Sequence, residues 1–173
     1  MTEAAQYSVI EVLPDGRRIE IRALSPSDRG EFAEAVGRSS AESLRRRFFA
    51  PRHSFTEREI AFFVDVDFVD HVALVAVTEQ GGRPVIVGAG RYIVVGPEQA
   101  EVAFTVADQC QGQGVGGALM RHVTAIAREA GIKELIAEVL PENTPMLAVF
   151  KKSGLRMTTK KERGVVHVTL HLI

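Results

Sequence analysis

The stretch Gln111-Gly112-Gln113-Gly114-Val115-Gly116-Gly117 constrains this chain more than any other, because its glycines fall between a strand pattern and a long helical one. Upstream, Glu101–Ala107 alternates, with Val102, Phe104 and Val106 on one face and Glu101, Ala103, Thr105 and Ala107 on the other. Downstream, Gly114–Ala130 carries Leu119, Met120, Val123, Ile126, Ala127 and Ala130 at helical spacing, and Gly131 supplies the stop. Glycine tolerates φ > 0 and lets backbone approach a ligand closely, while the bare amides and positive pole of a helix start attract phosphate. A diphosphate is therefore the expected guest of Gln111, Gly112, Gly114, Val115, Gly116 and Gly117. Two other readings stay open. One is a plain strand-to-helix turn. The other is a dinucleotide fingerprint, since Gly112–Gly117 also spells G-x-G-x-x-G and Glu138 falls about where an acidic ribose ligand would. Against the second, Asp108, Gln109, Cys110 and Gln111 separate the strand from the first glycine, and the chain closes on two strands rather than further crossovers.

The flanking pattern predicts one α/β domain with a mixed sheet. Tyr7–Leu13 and Arg17–Ala23 flank Pro14-Asp15-Gly16, a turn signal for a β-hairpin. Helix starts follow at Ser25, Ser39 and Thr56, the last two with a glutamate three residues on (Glu42, Glu59) as in a capping box. Val72–Thr78, Pro84–Val95 and Glu101–Ala107 read as strands, with Gly81-Gly82 as a turn. After the long helix come a strand at Glu134–Leu140, a short helix opened by Thr144-Pro145 and closed by Gly154, and an antiparallel pair, Leu155–Thr159 and Val165–Leu170. The domain is expected over residues 6–173, with a loose tail over 1–5.

Bulk properties narrow the class. A chain of 173 residues fits one domain that can bury its own core. The longest apolar runs, such as Val72–Val77, fall far short of the ~18 residues of a membrane span, and no signal peptide is visible, so a cytoplasmic protein is expected. One cysteine, Cys110, excludes an internal disulfide. A net charge of −1 gives no field to gather nucleic acid or anionic membrane, so neither is an expected partner.

Read as Q-x-x-G-x-G, Gln111–Gly116 resembles the pyrophosphate motif of the GNAT superfamily of acetyl-coenzyme A-dependent N-acetyltransferases. Ala100–Met157 resembles the core of that family in order and spacing. The second cofactor motif, an Asn, then an aromatic followed by x-K-x-G-Phe, is matched by Asn143, Phe150, Lys152 and Gly154, with Leu155 in place of the Phe. Ser40–Phe49 (SAESLRRRFF), the Val72–Val77 strand and EVAFTVADQCQGQGVG are similar to the acetyltransferase domain of bacterial protein-lysine acetyltransferases. That domain is often fused to a nucleotide-binding module or an acyl-CoA synthetase-like region; neither fits in 173 residues, so control by a fused domain is not expected here.

The resemblance implies a GNAT-type mixed sheet flanked by helices, acetyl-CoA as co-substrate without a metal, and transfer to a primary amine: a protein lysine, or alternatively a small amine. A non-catalytic acetyl-CoA or dinucleotide binder is the remaining alternative. It implies that backbone around Phe104, Thr105 and Val106 holds the pantetheine arm and polarises the thioester, an oxyanion role the chemistry also requires. Asn143 is expected to contact the cofactor, since Thr144-Pro145 can start the helix without it, and Phe150, which cannot donate a proton, to pack against it. Glu101 is the candidate general base, with a solvent-facing strand glutamate as the alternative: it lies beside small residues, where partial burial would raise its pKa, and the lysine acetyltransferases carry a glutamate at this place before the loop.

Other polar residues carry less. His167 and His171 stand ~13 Å apart on one strand, too far to share a metal, and read as a solvated face. His53, His71 and His122 lack ligand spacing, and direct transfer gives Cys110 no role as nucleophile. Arg45-Arg46-Arg47 reads as a solvated helix face or, alternatively, as a contact for the cofactor's phosphate or an acidic substrate.

Overall fold

The computed structural model describes residues 3–38 and 56–172. The hairpin forms as its turn chemistry predicts. Strands β1 (Ser8–Val12) and β2 (Arg18–Ala23) pair antiparallel around Gly16, which takes φ 89° and donates its N–H to Leu13 O at 2.8 Å. Helices α1 (Arg29–Arg38) and α2 (Glu57–Val64) follow. Then come the meander β3 (His71–Gln80), β4 (Arg83–Gly96) and β5 (Gln99–Val106), and helix α3 (Val115–Glu129). Strand β6 (Glu134–Val139), helix α4 (Thr144–Lys152) and the pair β7 (Arg156–Glu162) and β8 (Val165–His171) complete the chain.

The eight strands form one open mixed sheet, ordered β1-β2-β3-β4-β5-β6-β8-β7. All neighbours run antiparallel except β5 and β6. A dinucleotide-binding sheet needs a series of parallel crossovers, so that reading of the glycine loop fails here.

The helices cover both faces. On one, Phe32 of α1 with Ile60 and Val64 of α2 pack on Ala73, Val75 and Ile86. On the other, α3 and α4 pack on the alternate side chains, with Leu119, Val123 and Ala127 against Leu74, Val102 and Phe104. Two glycines of β4 let α3 lie close. A Cβ on Gly88 would meet Val115 Cγ1 at 3.0 Å, and one on Gly90 would meet the Phe104 ring at 2.7 Å.

Capping is largely local, as the sequence implies. Thr56 and Glu59 form the expected box at α2, while Ser39 and Glu42 lie outside the described residues. A further box joins Ser25 to Asp28, and Arg22 donates to both Asp28 oxygens at 2.7 and 2.8 Å. Burial alone would raise the Asp28 carboxyl, but the Arg22 guanidinium and the Ser25 N–H outweigh it and hold the group below its ordinary value. Overlapping the segment expected to be a loose tail, residues 1–5, Glu3–Gln6 form a 3₁₀ turn and Ala4 packs on the core. No described helix is long and apolar enough to cross a membrane.

Candidate active site

Strands β5 and β6 run side by side only over Gln99–Glu101, which pair with Glu134, Leu135 and Ile136. Beyond Glu101 they separate. A cleft of about 990 Å³ opens there, walled by Glu101–Val106 of β5, Ala137–Val139 of β6, and residues of the glycine loop, α3 and α4. The fork frees one edge of β5. Ala107 N–H donates to Val87 O of β4, whereas Val106 O accepts from the Gln111 side chain on the opposite side. Backbone groups alternate in direction along a strand, so those of Phe104 and Val102 point with Val106 toward the gap.

Glu101 stands at the bottom of this fork, on the face opposite Val102 and Phe104, whose side chains are buried in the α3 core. It lines the cleft but is exposed, not partly buried as its small neighbours led us to expect. Its face of β5 is the one turned away from α3, and on that side α1 and α2 pack over Ala73, Val75 and Ile86 of β3 and β4 rather than over β5.

The glycine loop closes the upper end. Gly112 and Gly114 take φ 77° and 96°, and Gly114 is the N-cap of α3. The side chains of Ser25, Thr56 and Asn143 cap other helical segments, but no described side chain caps α3, and its first turn holds no acidic residue. Its leading amides are thus left for an anion. Space is tight around them. A Cβ on Gly114 would lie 3.1 Å from Pro14 Cδ, and one on Gly116 3.1 Å from Val149 Cγ2 of α4. The hairpin also grips the loop, with Arg17 donating to the Gln113 side chain.

Gln111, Gly112, Gly114, Gly116, Gly117, Phe104, Thr105, Val106, Asn143 and Phe150 all line the cleft with Glu101. Val115 does not; its side chain is buried under β4, 1% exposed. Gln111 ties the loop to the strand, donating to Val106 O at 3.2 Å and Asp108 Oδ1 at 3.4 Å. Asn143 differs from expectation. Its Oδ1 accepts from Met146 N–H at 3.3 Å, so it does cap α4, because Thr144-Pro145 leaves the Met146 amide needing an acceptor. That cap uses the oxygen and leaves the two Nδ2 donors. Phe150 is 1% exposed and meets the Phe104 ring edge-on at 6.2 Å between centroids, forming an apolar floor. Arg45–Arg47, SAESLRRRFF and His53 lie outside the described residues.

One cluster was missed. His122 of α3 bonds Tyr7 through Nδ1 and Glu11 through Nε2, the latter at 2.6 Å, and Arg121 reaches the other Glu11 oxygen at 3.2 Å. A neutral imidazole satisfies both when Nε2 donates and the tyrosine hydroxyl donates to Nδ1. Burial alone would raise the Glu11 carboxyl, but the His122 and Arg121 hydrogen bonds outweigh it and lower its pKa. The cluster fastens the hairpin to the helix that carries the loop. On the far side of the sheet, His167 and His171 lie 3.7 and 3.5 Å from Glu138 and Glu134 on a partly exposed strand face, far apart from one another along β8.

Comparison with known proteins gives a consistent picture. The model of the acetyltransferase (GNAT) family matches residues 39–155. An acetyltransferase of Pseudomonas aeruginosa is 32% identical over 127 residues, 73% of this chain and 68% of that protein. The acetyltransferase Pat of Mycolicibacterium smegmatis is 33% identical over 153 residues; the match takes in 87% of this chain but only 45% of Pat. The crystal structure of the GNAT domain of S. lividans PAT superposes with a TM-score of 0.86 at 35% identity, covering 95% of this chain and 96% of that one.

Proposed function

The chain belongs to the acetyltransferase (GNAT) family, acetyl-CoA-dependent acyltransferases, and on that premise we propose that it acetylates protein lysines with Glu101 as the general base. The observation that carries this reading is the fork between β5 and β6. It sets an exposed carboxylate at one end of a cleft and an uncapped helix start at the other.

The residues present suit acetyl-CoA. The amides of Gly114–Gly117 take its diphosphate, in a loop so close-packed that a Cβ at Gly114 would press on Pro14 and one at Gly116 on Val149. The open edge of β5 at Phe104 and Val106 pairs with the pantetheine amides, and Asn143 Nδ2 supplies a further donor. Phe104 and Phe150 exclude water from the thioester. Gln111 shapes the loop, and Val115 seats α3 on β4.

The chemistry then follows from the amine's protonation state. A lysine ammonium of pKa ~10.4 must lose a proton before attack, at a cost of roughly 4.6 kcal/mol at neutral pH. Glu101 accepts that proton, directly or through one water, from the acceptor entering the fork. The amine nitrogen bonds the thioester carbonyl carbon, and a β5 amide stabilises the oxyanion. Collapse breaks the C–S bond, and the electron pair leaves on the coenzyme A sulfur, whose thiol pKa of ~8.5 makes thiolate departure easy. Phe150 offers no proton, and the step requires none from it.

Lysine is preferred over a small amine because EVAFTVADQCQGQGVG resembles the protein-lysine acetyltransferases and the relatives above include Pat proteins. The wide, exposed setting of Glu101 also suits an acceptor presented on a protein surface. A thermal-shift comparison of acetyl-CoA, coenzyme A and NAD tests the co-substrate, because a selective ligand raises apparent stability by mass action. Stabilisation by NAD alone would overturn it.

A further inference from the structure

The cleft continues along α3 beyond the glycine loop, lined in turn by Gly117, Met120, Thr124 and Arg128. Thr124 is 5% exposed, and its Oγ1 is the one buried side-chain polar atom without a hydrogen-bond partner among the described residues. An unsatisfied buried hydroxyl is costly and rare, which marks the position as one completed by something that enters the cleft. Its level along the cleft identifies what that is. Gly88, opposite Val106, lies against Val115 and Leu119 of α3, and Gly90, opposite Phe104, lies against Val123. Thr124 therefore stands beside the Phe104 rung, two residues (~7 Å) below Val106 at the diphosphate end and three (~10 Å) above Glu101.

We propose that the Thr124 hydroxyl hydrogen-bonds the amide-to-thioester end of the pantetheine arm, acting as a side-chain contact that positions the acyl donor between α3 and the open edge of β5. This rests on the acetyl-CoA reading above. The surroundings agree with it: Met120, Ala137 and Phe150 make the rest of this section apolar, so a single hydroxyl fixes the register of a flexible thioester chain. Arg128 is held aside, its Nε donating to Leu172 O at 3.1 Å.

The test compares wild type, Thr124→Val and Thr124→Ser by calorimetry with two probes. One is acetyl-CoA; the other is 3′-phosphoadenosine 5′-diphosphate, the nucleotide half of coenzyme A without the pantetheine arm. Valine keeps the shape and deletes the hydroxyl. Thr124→Val should weaken acetyl-CoA binding about tenfold while leaving the nucleotide unchanged, and Thr124→Ser should remain within about threefold of wild type. Without ligand, Thr124→Val should melt no lower than wild type, because it removes an unsatisfied group. Equal acetyl-CoA affinity in wild type and Thr124→Val, or equal weakening toward both probes, would overturn the contact. Failure of the wild type to bind acetyl-CoA would instead overturn the functional reading beneath it.

Discussion

Glu101 and Ile136 form the last rung at which β5 and β6 run in register, and the cleft begins immediately beyond it. A parallel pair that stayed zipped would consume the edge of β5 and close the cleft. Parting after this rung opens the cleft beside the Glu101 carboxylate.

Replacing Glu101 with Gln should remove the proposed base while keeping the shape of the fork. Turnover is expected to fall by roughly 10²–10⁴, with acetyl-CoA affinity close to wild type. Steady-state kinetics over a pH series, paired with calorimetry, separates the two. A Gln variant with wild-type turnover and pH profile would assign the base elsewhere.

Gly114 sits at φ 96° with Pro14 Cδ 3.1 Å from where a Cβ would be. Gly114→Ala should cost about 1–2 kcal/mol through the left-handed backbone alone, lowering the melting temperature by a few degrees. It should also weaken acetyl-CoA binding tenfold or more, since the loop must shift to admit the methyl group. A folded variant with unaltered affinity would remove the diphosphate from this loop.

The Arg22–Asp28 pair makes a stability prediction independent of catalysis. The folded Asp28 pKa lies below its unfolded value of ~3.9, so its contribution is complete above about pH 4 and disappears as pH falls through the folded pKa. Asp28→Asn takes the bidentate partner from Arg22, which keeps only the longer ion pair with Glu20 at 3.8 Å, and should cost roughly 1–3 kcal/mol at neutral pH. Urea denaturation should show the gap between wild type and variant narrowing from pH 7 to pH 3. A gap that is constant with pH would contradict the pair's role.

What the sequence discloses here is what short-range chemistry encodes. Pro14-Asp15-Gly16, the Thr56–Glu59 box and the glycine loop act over a few residues, and each forms where expected. Asn143 misled for the same reason: whether it caps α4 depends on the backbone entering the helix, which residue types alone leave undecided. The fork at Glu101 depends on where β6 stops following β5, and the two segments lie on opposite sides of α3. Tyr7 and His122 are 115 positions apart, so no local spacing announces their bond. Thr124 reads as an ordinary polar residue on a helix until the helix is docked and its hydroxyl proves to be enclosed.

The central claim is transfer of acetyl from acetyl-CoA to protein lysine through Glu101, and one measurement addresses it directly. The enzyme and its Glu101→Gln variant are incubated with isotopically labelled acetyl-CoA and either a cell protein extract or a panel of polyamines, amino acids and aminoglycosides, with products mapped by mass spectrometry. We expect label on a limited set of lysines, well above the spontaneous background and lost in the Glu101→Gln variant. Efficient labelling of one small amine, with protein lysines modified no faster than without enzyme, would contradict it.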